Sequence, residues 1–144
     1  MPDFLETFDT SGGIYYKDMF IIWDSLSDFV QGYFHAMFYT DSGPEDGQLG
    51  EVNFCDLAPE ALAKAIYDCD NFLDTDAWRR ACDAEGLPDV GTAGRDFWYT
   101  RNGHGCGFPD GDWPEPYATS LTAAAQAFGE TWTTLGEDGK VYLS

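Results

Sequence analysis

His104, Cys106 and Asp110 fall close together in the stretch Phe97-Trp98-Tyr99-Thr100-Arg101-Asn102-Gly103-His104-Gly105-Cys106-Gly107-Phe108-Pro109-Asp110. An imidazole, a thiol and a carboxylate at such spacing are the raw material of nucleophilic or metal-assisted chemistry. Against that use, His104 is flanked by glycines, and the only other histidine, His35, lies far upstream. A site needs a supporting shell that holds its groups in place, and the sequence supplies none here. Cys55, Cys69, Cys82 and Cys106 form no CxxC pair, so they read as free thiols, buried or half-buried, and not as a zinc or redox motif. Asp110, Gly111 and Asp112 lack the ligand pattern of a calcium loop. The sequence therefore assigns no catalytic residue, no metal and no cofactor.

The elements that must carry these residues come next. Phe97 to Thr100 is aromatic and β-branched and runs into glycines, which predicts a strand, a tight turn and a short return strand. Arg101, Asn102, Gly103, His104 and Gly105 are then a structural turn, with Arg101 bridging to carboxylates or capping carbonyls to fix the hairpin. Upstream, Met1 to Gly13 is an acidic lead-in, and Ile14 to Trp23 is either strand or helix. A helix is predicted from Ser25, as its cap, to Tyr39, followed by a loop over Thr40 to Glu51. A second helix opens at Asp56 to Glu60, with Asp56 as cap and Pro59 in the first turn. Its buried stripe is Ala58, Leu62, Ala65, Ile66, Cys69 and Leu73, with Glu60, Asp68, Asn71 and Asp74 outward. A short helix follows from Asp74 or Thr75 to Glu85, with Ala77, Trp78, Ala81 and Cys82 inward. Beyond the turn, Tyr117 to Phe128 is an alanine-rich helix, and Thr131 to Leu135 with Val141 to Leu143 is a hairpin. The predicted class is α+β: a single globular domain over 1–144, with N-terminal helices, a small antiparallel sheet shared by Phe97–Arg101 and Thr131–Leu135, and the Tyr117 helix packed on it.

Composition bounds the partners. The chain has 144 residues, 44% of them hydrophobic and 17% aromatic, enough for a core and unlike a disordered acidic tail. Against 26 acids it sets seven Lys and Arg, for a net charge of −19. Nucleic acid backbone and anionic membrane would both repel it. The partners this charge admits are basic. No basic leader followed by an apolar run opens the chain, and the apolar run Met19 to Trp23 is too short to span a bilayer, so a cytoplasmic location is expected.

The chain resembles a family of small acidic bacteriophage and mobile-element proteins. The resemblance rests on Asp96-Phe97-Trp98 with Thr100-Arg101-Asn102-Gly103-His104-Gly105 and the following Gly107-Phe108, a DFW-x-TRNGHG-x-GF motif. Weaker matches are Phe38 to Asp41, Asp56 to Leu62 running to Cys69, and Leu121-Thr122 to Gly129. The chain departs from the pattern at Pro109, where similar proteins more often carry a bulky aromatic. The family has no established activity, so the resemblance transfers no catalytic residue. What it implies is a phage or plasmid product acting in a bacterial cytoplasm.

Charge and resemblance together set the functional expectation. A globule of this length is roughly 37 Å across, and duplex DNA of that length carries about 22 phosphate charges. A net −19 is of similar density. The expected function is an acidic inhibitor of a host nucleic-acid-binding defence system, antirestriction or anti-CRISPR, that mimics DNA by occupying a basic surface. Asp68, Asp70, Asp74, Asp76 and Asp83, at the junction of two helices, are the candidate carboxylates. The alternatives are a merely solvated acidic surface of halophile type, and a small hydrolase centred on His104, Cys106 and Asp110.

Overall fold

The computed structural model describes residues 16–41, 50, 52–104, 106–110 and 112–144. Within them lie six α-helices and one two-stranded antiparallel sheet, so the architecture is α+β but mainly helical. The acidic lead-in and most of the 40–51 loop lie outside the described residues.

Of the ambiguous run from Ile14 to Trp23, the described part, Tyr16 to Trp23, is helical and belongs to helix α1, Tyr16–Ser25; Ile14 and Tyr15 lie outside the described residues. Met19, Ile22 and Leu26 recur at three and four residues and are buried. Ser25 ends this helix by donating back to the Ile21 carbonyl (2.9 Å). The cap of α2, Asp28–Asp41, is therefore Ser27 and not Ser25: Val30 N donates to Ser27 Oγ (3.3 Å). Helix α2 continues two residues past the predicted end, through Thr40 and Asp41.

Asp56 does not cap α3, Pro59–Leu73. It closes a capping box on the preceding 3-10 turn, Phe54–Asp56, accepting from Asn53 N (2.9 Å) while Asn53 Oδ1 accepts from Cys55 N (2.9 Å). The start of α3 relies on Pro59 in its first turn, where a missing N–H costs nothing. Its inner face is Ala61, Leu62, Ala65, Asp68, Cys69 and Phe72, rotated from the predicted stripe, with Ile66 and Leu73 only half-buried. Helix α4, Asp76–Cys82, is capped by Thr75, whose hydroxyl accepts from Trp78 N (3.2 Å). Ala81 is buried as predicted, whereas Cys82 faces solvent.

The predicted strand over Phe97–Arg101 is helix. Helix α5, Val90–Arg101, starts at Asp89, whose carboxylate accepts from Thr92 N (2.7 Å). It lies alongside α2 in the same direction: Gly32 meets Gly91, Gly94 meets Phe29, and Trp98 Nε1 donates to Thr40 Oγ1 (3.1 Å). Phe72 from α3 stacks on Phe97 (4.4 Å between centroids) and on Phe29 (5.6 Å), joining the three helices at the core. Buried aromatics thus outweigh the local β preference of Phe97 to Thr100.

The sheet holds β1, Thr133–Leu135, and β2, Val141–Leu143, paired in register Thr134 to Tyr142. Phe97–Arg101 is not part of it. The sheet is tied to the start of α3, where Ala58 N donates to the Val141 carbonyl (2.8 Å). Helix α6, Tyr117–Gln126, was expected on the sheet; its main packing is against α4, α5 and the 3-10 turn Phe108–Asp110.

Candidate functional site

Residue by residue, the motif stretch is a set of tertiary fasteners. Asp96 accepts from Trp113 Nε1 (2.6 Å), and Phe97 is core. Thr100 Oγ1 accepts from Phe108 N (2.9 Å), and a Cβ on Gly107 would stand 2.0 Å from that same oxygen. Asn102 donates to the Trp98 carbonyl (3.0 Å) and accepts from Thr131 N (2.9 Å), which fixes the approach to β1.

Arg101 is the central fastener. The residue is 4% exposed, and its guanidinium donates to Asp68 Oδ2 (2.8 Å), Tyr33 OH (3.1 Å) and the Gly129 carbonyl (2.9 Å). Burial alone would lower its pKa; Tyr33 and Asp68 outweigh that and raise it. Lys64 supplies Asp68 with a second cation at 3.1 Å. Arg101 thus pairs a carboxylate and caps carbonyls at once, joining α5 to α3 and to the chain beyond α6.

The glycine turn is a helix stop and not a hairpin. Asn102 is the C-cap of α5, and Gly103 follows at φ +76°. Gly103 N donates to the Thr100 carbonyl (3.2 Å) and His104 N to the Tyr99 carbonyl (2.8 Å), the two bonds of a Schellman motif. The accompanying side-chain contact is His104 edge-on to Tyr99 (6.0 Å). Gly105 lies outside the described residues.

This geometry gives His104, Cys106 and Asp110 no common purpose. All three are exposed. The Cys106 thiol is raised, by desolvation and by the Asp110 and Asp96 carboxylates, away from the thiolate a nucleophile needs. Among the described residues no group of three or more His, Cys, Asp or Glu could hold a metal ion.

Asp96 carries the one strongly displaced carboxyl of the motif. Burial first, then Asp112 and Asp110, push it up to about 6 against the Trp113 hydrogen bond. A raised acid opposes folding where it is ionised, so the penalty is full above about pH 6 and fades toward the ordinary 3.8. We expect Asp96→Asn, which keeps an acceptor for Trp113, to gain on the parent by on the order of 1–3 kcal/mol near pH 7.5, and the gain to shrink near pH 5. Thermal melts of both proteins across that range test this, and a gap independent of pH would refute it.

The five predicted acids do not form one face. Asp68 is buried against Arg101 and cannot present a carboxylate to a partner. Asp70, Asp74, Asp76 and Asp83 are exposed, but Arg79 pairs with Asp74 and lies 3.8 Å from Asp76, so the helix junction is partly neutralised. A second exposed row carrying acids is the outer stripe of α3 and its C-cap: Glu60, Ala63, Tyr67, Asp70 and Asp74 are exposed at intervals of three and four residues. This stripe spans about 21 Å at 1.5 Å per residue. Tyr142 of β2 lies within electrostatic range of Glu60 and donates to Asp138 (2.6 Å), carrying the stripe toward the hairpin. Glu60, Asn71 and Asp74 are exposed as the sequence predicts, whereas Asp68, expected outward with them, is buried, and Tyr67 and the hairpin's contribution were not read from the sequence.

Comparison with protein-family models, curated proteins and solved structures finds no match. Among the described residues no helix is long and apolar enough to cross a membrane.

Proposed function

We propose that this protein is an acidic inhibitor that occupies the basic nucleic-acid-binding surface of a host protein, of the kind used in restriction or CRISPR interference. The observation that carries the reading is the α3 stripe, where Glu60, Asp70 and Asp74 project from a helix whose other face is locked into the core by Phe72, Cys69 and Asp68. A rigid helix presents carboxylates with little ordering cost on binding. Lys64, on the same helix, is engaged with Asp68, and Arg101 is buried; Arg79 pairs with Asp74 and offsets that end of the stripe, so Glu60 and Asp70 carry most of its charge. Asp96, Phe97, Thr100, Arg101 and Asn102 of the motif are engaged in tertiary contacts, which favours a role for the acidic surface.

The test is Glu60→Lys with Asp70→Lys and Asp74→Lys. All three positions are exposed, so the fold should hold, and reversal relieves self-repulsion. Even 0.5–1 kcal/mol per charge sums to a loss of about tenfold or more in affinity. Proteins captured from host lysate are challenged with duplex DNA: the parent should compete with the duplex and weaken as salt rises, and the triple variant should not compete. A variant that competes as well as the parent ends this reading, and a parent without salt-sensitive competition favours a solvated acidic surface.

A further inference from the structure

Two carboxylates are buried among the described residues, and they are held in opposite ways. Asp68 faces Arg101 (2.8 Å) and Lys64 (3.1 Å), so its charge is compensated. Asp96, 7% exposed, accepts a neutral indole N–H from Trp113 (2.6 Å) and makes no ion pair among the described residues. Its chain neighbour Arg95 is exposed and donates to Thr92 Oγ1 (3.2 Å). The other titratable groups facing Asp96 are Tyr99 on α5 and, beyond the helix, Cys106, Asp110 and Asp112, of which the two carboxylates oppose its charge. An indole N–H satisfies an oxygen without neutralising it, so ionised Asp96 is a buried charge that only water can relieve.

The contacts that bury Asp96 also define what must move to expose it. Trp113 packs edge-on against Phe108 (5.4 Å), and Phe108 stacks on Phe72 (5.7 Å) while its amide donates to Thr100 Oγ1 (2.9 Å). Phe108 and Trp113 thus hold one strap against α5, and both of these hydrogen bonds run through side chains and not through a backbone ladder. The chain on either side is irregular: α5 stops at Gly103 (φ +76°), and Pro114 stands before α6. Asp110 and Asp112 travel with the strap, so its release separates three carboxylates at once.

We infer that the strap carrying Phe108 and Trp113 opens from α5 as a unit when Asp96 ionises and closes over it when Asp96 is protonated, while the helical core stays folded. Phe29, Phe72 and Phe97 keep α2, α3 and α5 joined without it. Closed, burial and the facing carboxylates push the Asp96 carboxyl up to about 6; in the open strap, water returns it to the ordinary 3.8. A carboxyl raised in the closed form disfavours closure from its open-state value upward, and in full above its closed-state value. Opening therefore grows with pH across about 4 to 6 and levels off above that. Local opening of this kind is drawn from the least stable parts of a fold.

Amide hydrogen exchange of the full chain, followed by NMR at about pH 5 and about pH 7 and corrected for intrinsic rates, tests this. Both values lie above the isoelectric point of about 4.1. The Phe108 amide reports the strap, and the Cys69 amide, inside α3 and buried, reports the helical core. Exchange through opening at Phe108 should be about tenfold faster at the higher pH, with Cys69 better protected at both. Asp96→Asn, which keeps an acceptor for Trp113, should remove the pH dependence at Phe108. Asp110→Asn with Asp112→Asn, both at exposed positions, should slow Phe108 exchange at the higher pH by about twofold or more. No residue of the acidic stripe takes part, so the inhibitor reading stands or falls separately. A Phe108 amide as well protected as that of Cys69 overturns the inference, as does a pH dependence that is absent in the parent or survives in Asp96→Asn.

Discussion

Asp68→Ala is expected to cost about 3–5 kcal/mol of folding stability, because it leaves a buried guanidinium without its counter-charge. Arg101 would keep Tyr33 OH and the Gly129 carbonyl as acceptors, but neither carries the compensating charge. With a urea slope of about 1–3 kcal/mol per molar, the unfolding midpoint should fall by more than about 1 M. Asp74→Ala, six residues along, removes an ion pair whose partners are 75% and 60% exposed, so its cost should stay below about 1 kcal/mol. Burial decides between the two, since both acids pair with an arginine. The double change Asp68→Leu with Arg101→Met should recover part of the loss but not all, because the Gly129 carbonyl loses its donor. Chemical denaturation of the four proteins checks the order, and an Asp68→Ala midpoint within about 0.3 M of the parent would show that this pair does not anchor the fold. The same reasoning bars Asp68 from any charge-reversal test of the acidic surface, since a lysine there would face Arg101 and Lys64 in the interior.

What the sequence revealed depended on whether a signal was local. Pro59, Thr75, Gly129 and the Gly136 to Gly139 loop punctuate the chain by their own backbone chemistry, and the elements they bound lie close to where that chemistry puts them. The Phe97 stretch misled because Asn102-Gly103 serves two purposes: it closes a two-residue hairpin and it also ends a helix. The helical alternative was present in Asp89 as a cap, with Ala93, Phe97 and Arg101 four apart, but it required placing an arginine on the buried stripe. Asp68 was hidden for the same reason. Its only legible partner was Lys64 at i,i+4, a pair that ordinarily marks a solvated face. A buried ion pair joining residues 33 positions apart has no periodicity to betray it.

The close pairing of α2 with α5 yields the other large expected effect, and here two principles oppose each other. Gly94 lies inside α5, and replacing an interior helical glycine with alanine ordinarily gains up to about 1 kcal/mol. A Cβ at Gly94, however, would stand 1.9 Å from the Phe29 carbonyl oxygen and 2.8 Å from its carbon, and both are helix backbone. Backbone cannot swing aside as a side-chain tip can, so α2 and α5 would have to separate. That motion would pull Phe97 from Phe29 and Phe72 and stretch the Trp98 bond to Thr40. Overpacking of this kind costs about 1–3 kcal/mol and more where the backbone must shift, so Gly94→Ala should lose at least 2 kcal/mol net, and Gly94→Val should fail to fold cooperatively. Gly91→Ala is the internal control: three residues earlier on α5, its Cβ would meet only Asp89 Oδ1 at 3.5 Å and the Asp28 carbonyl at 3.6 Å, ordinary contacts. It should be neutral or slightly stabilising. Thermal melts of the two alanine variants decide the matter; if Gly94→Ala melts at or above the parent, the helices are not in backbone contact and the α2–α5 pairing described here is wrong.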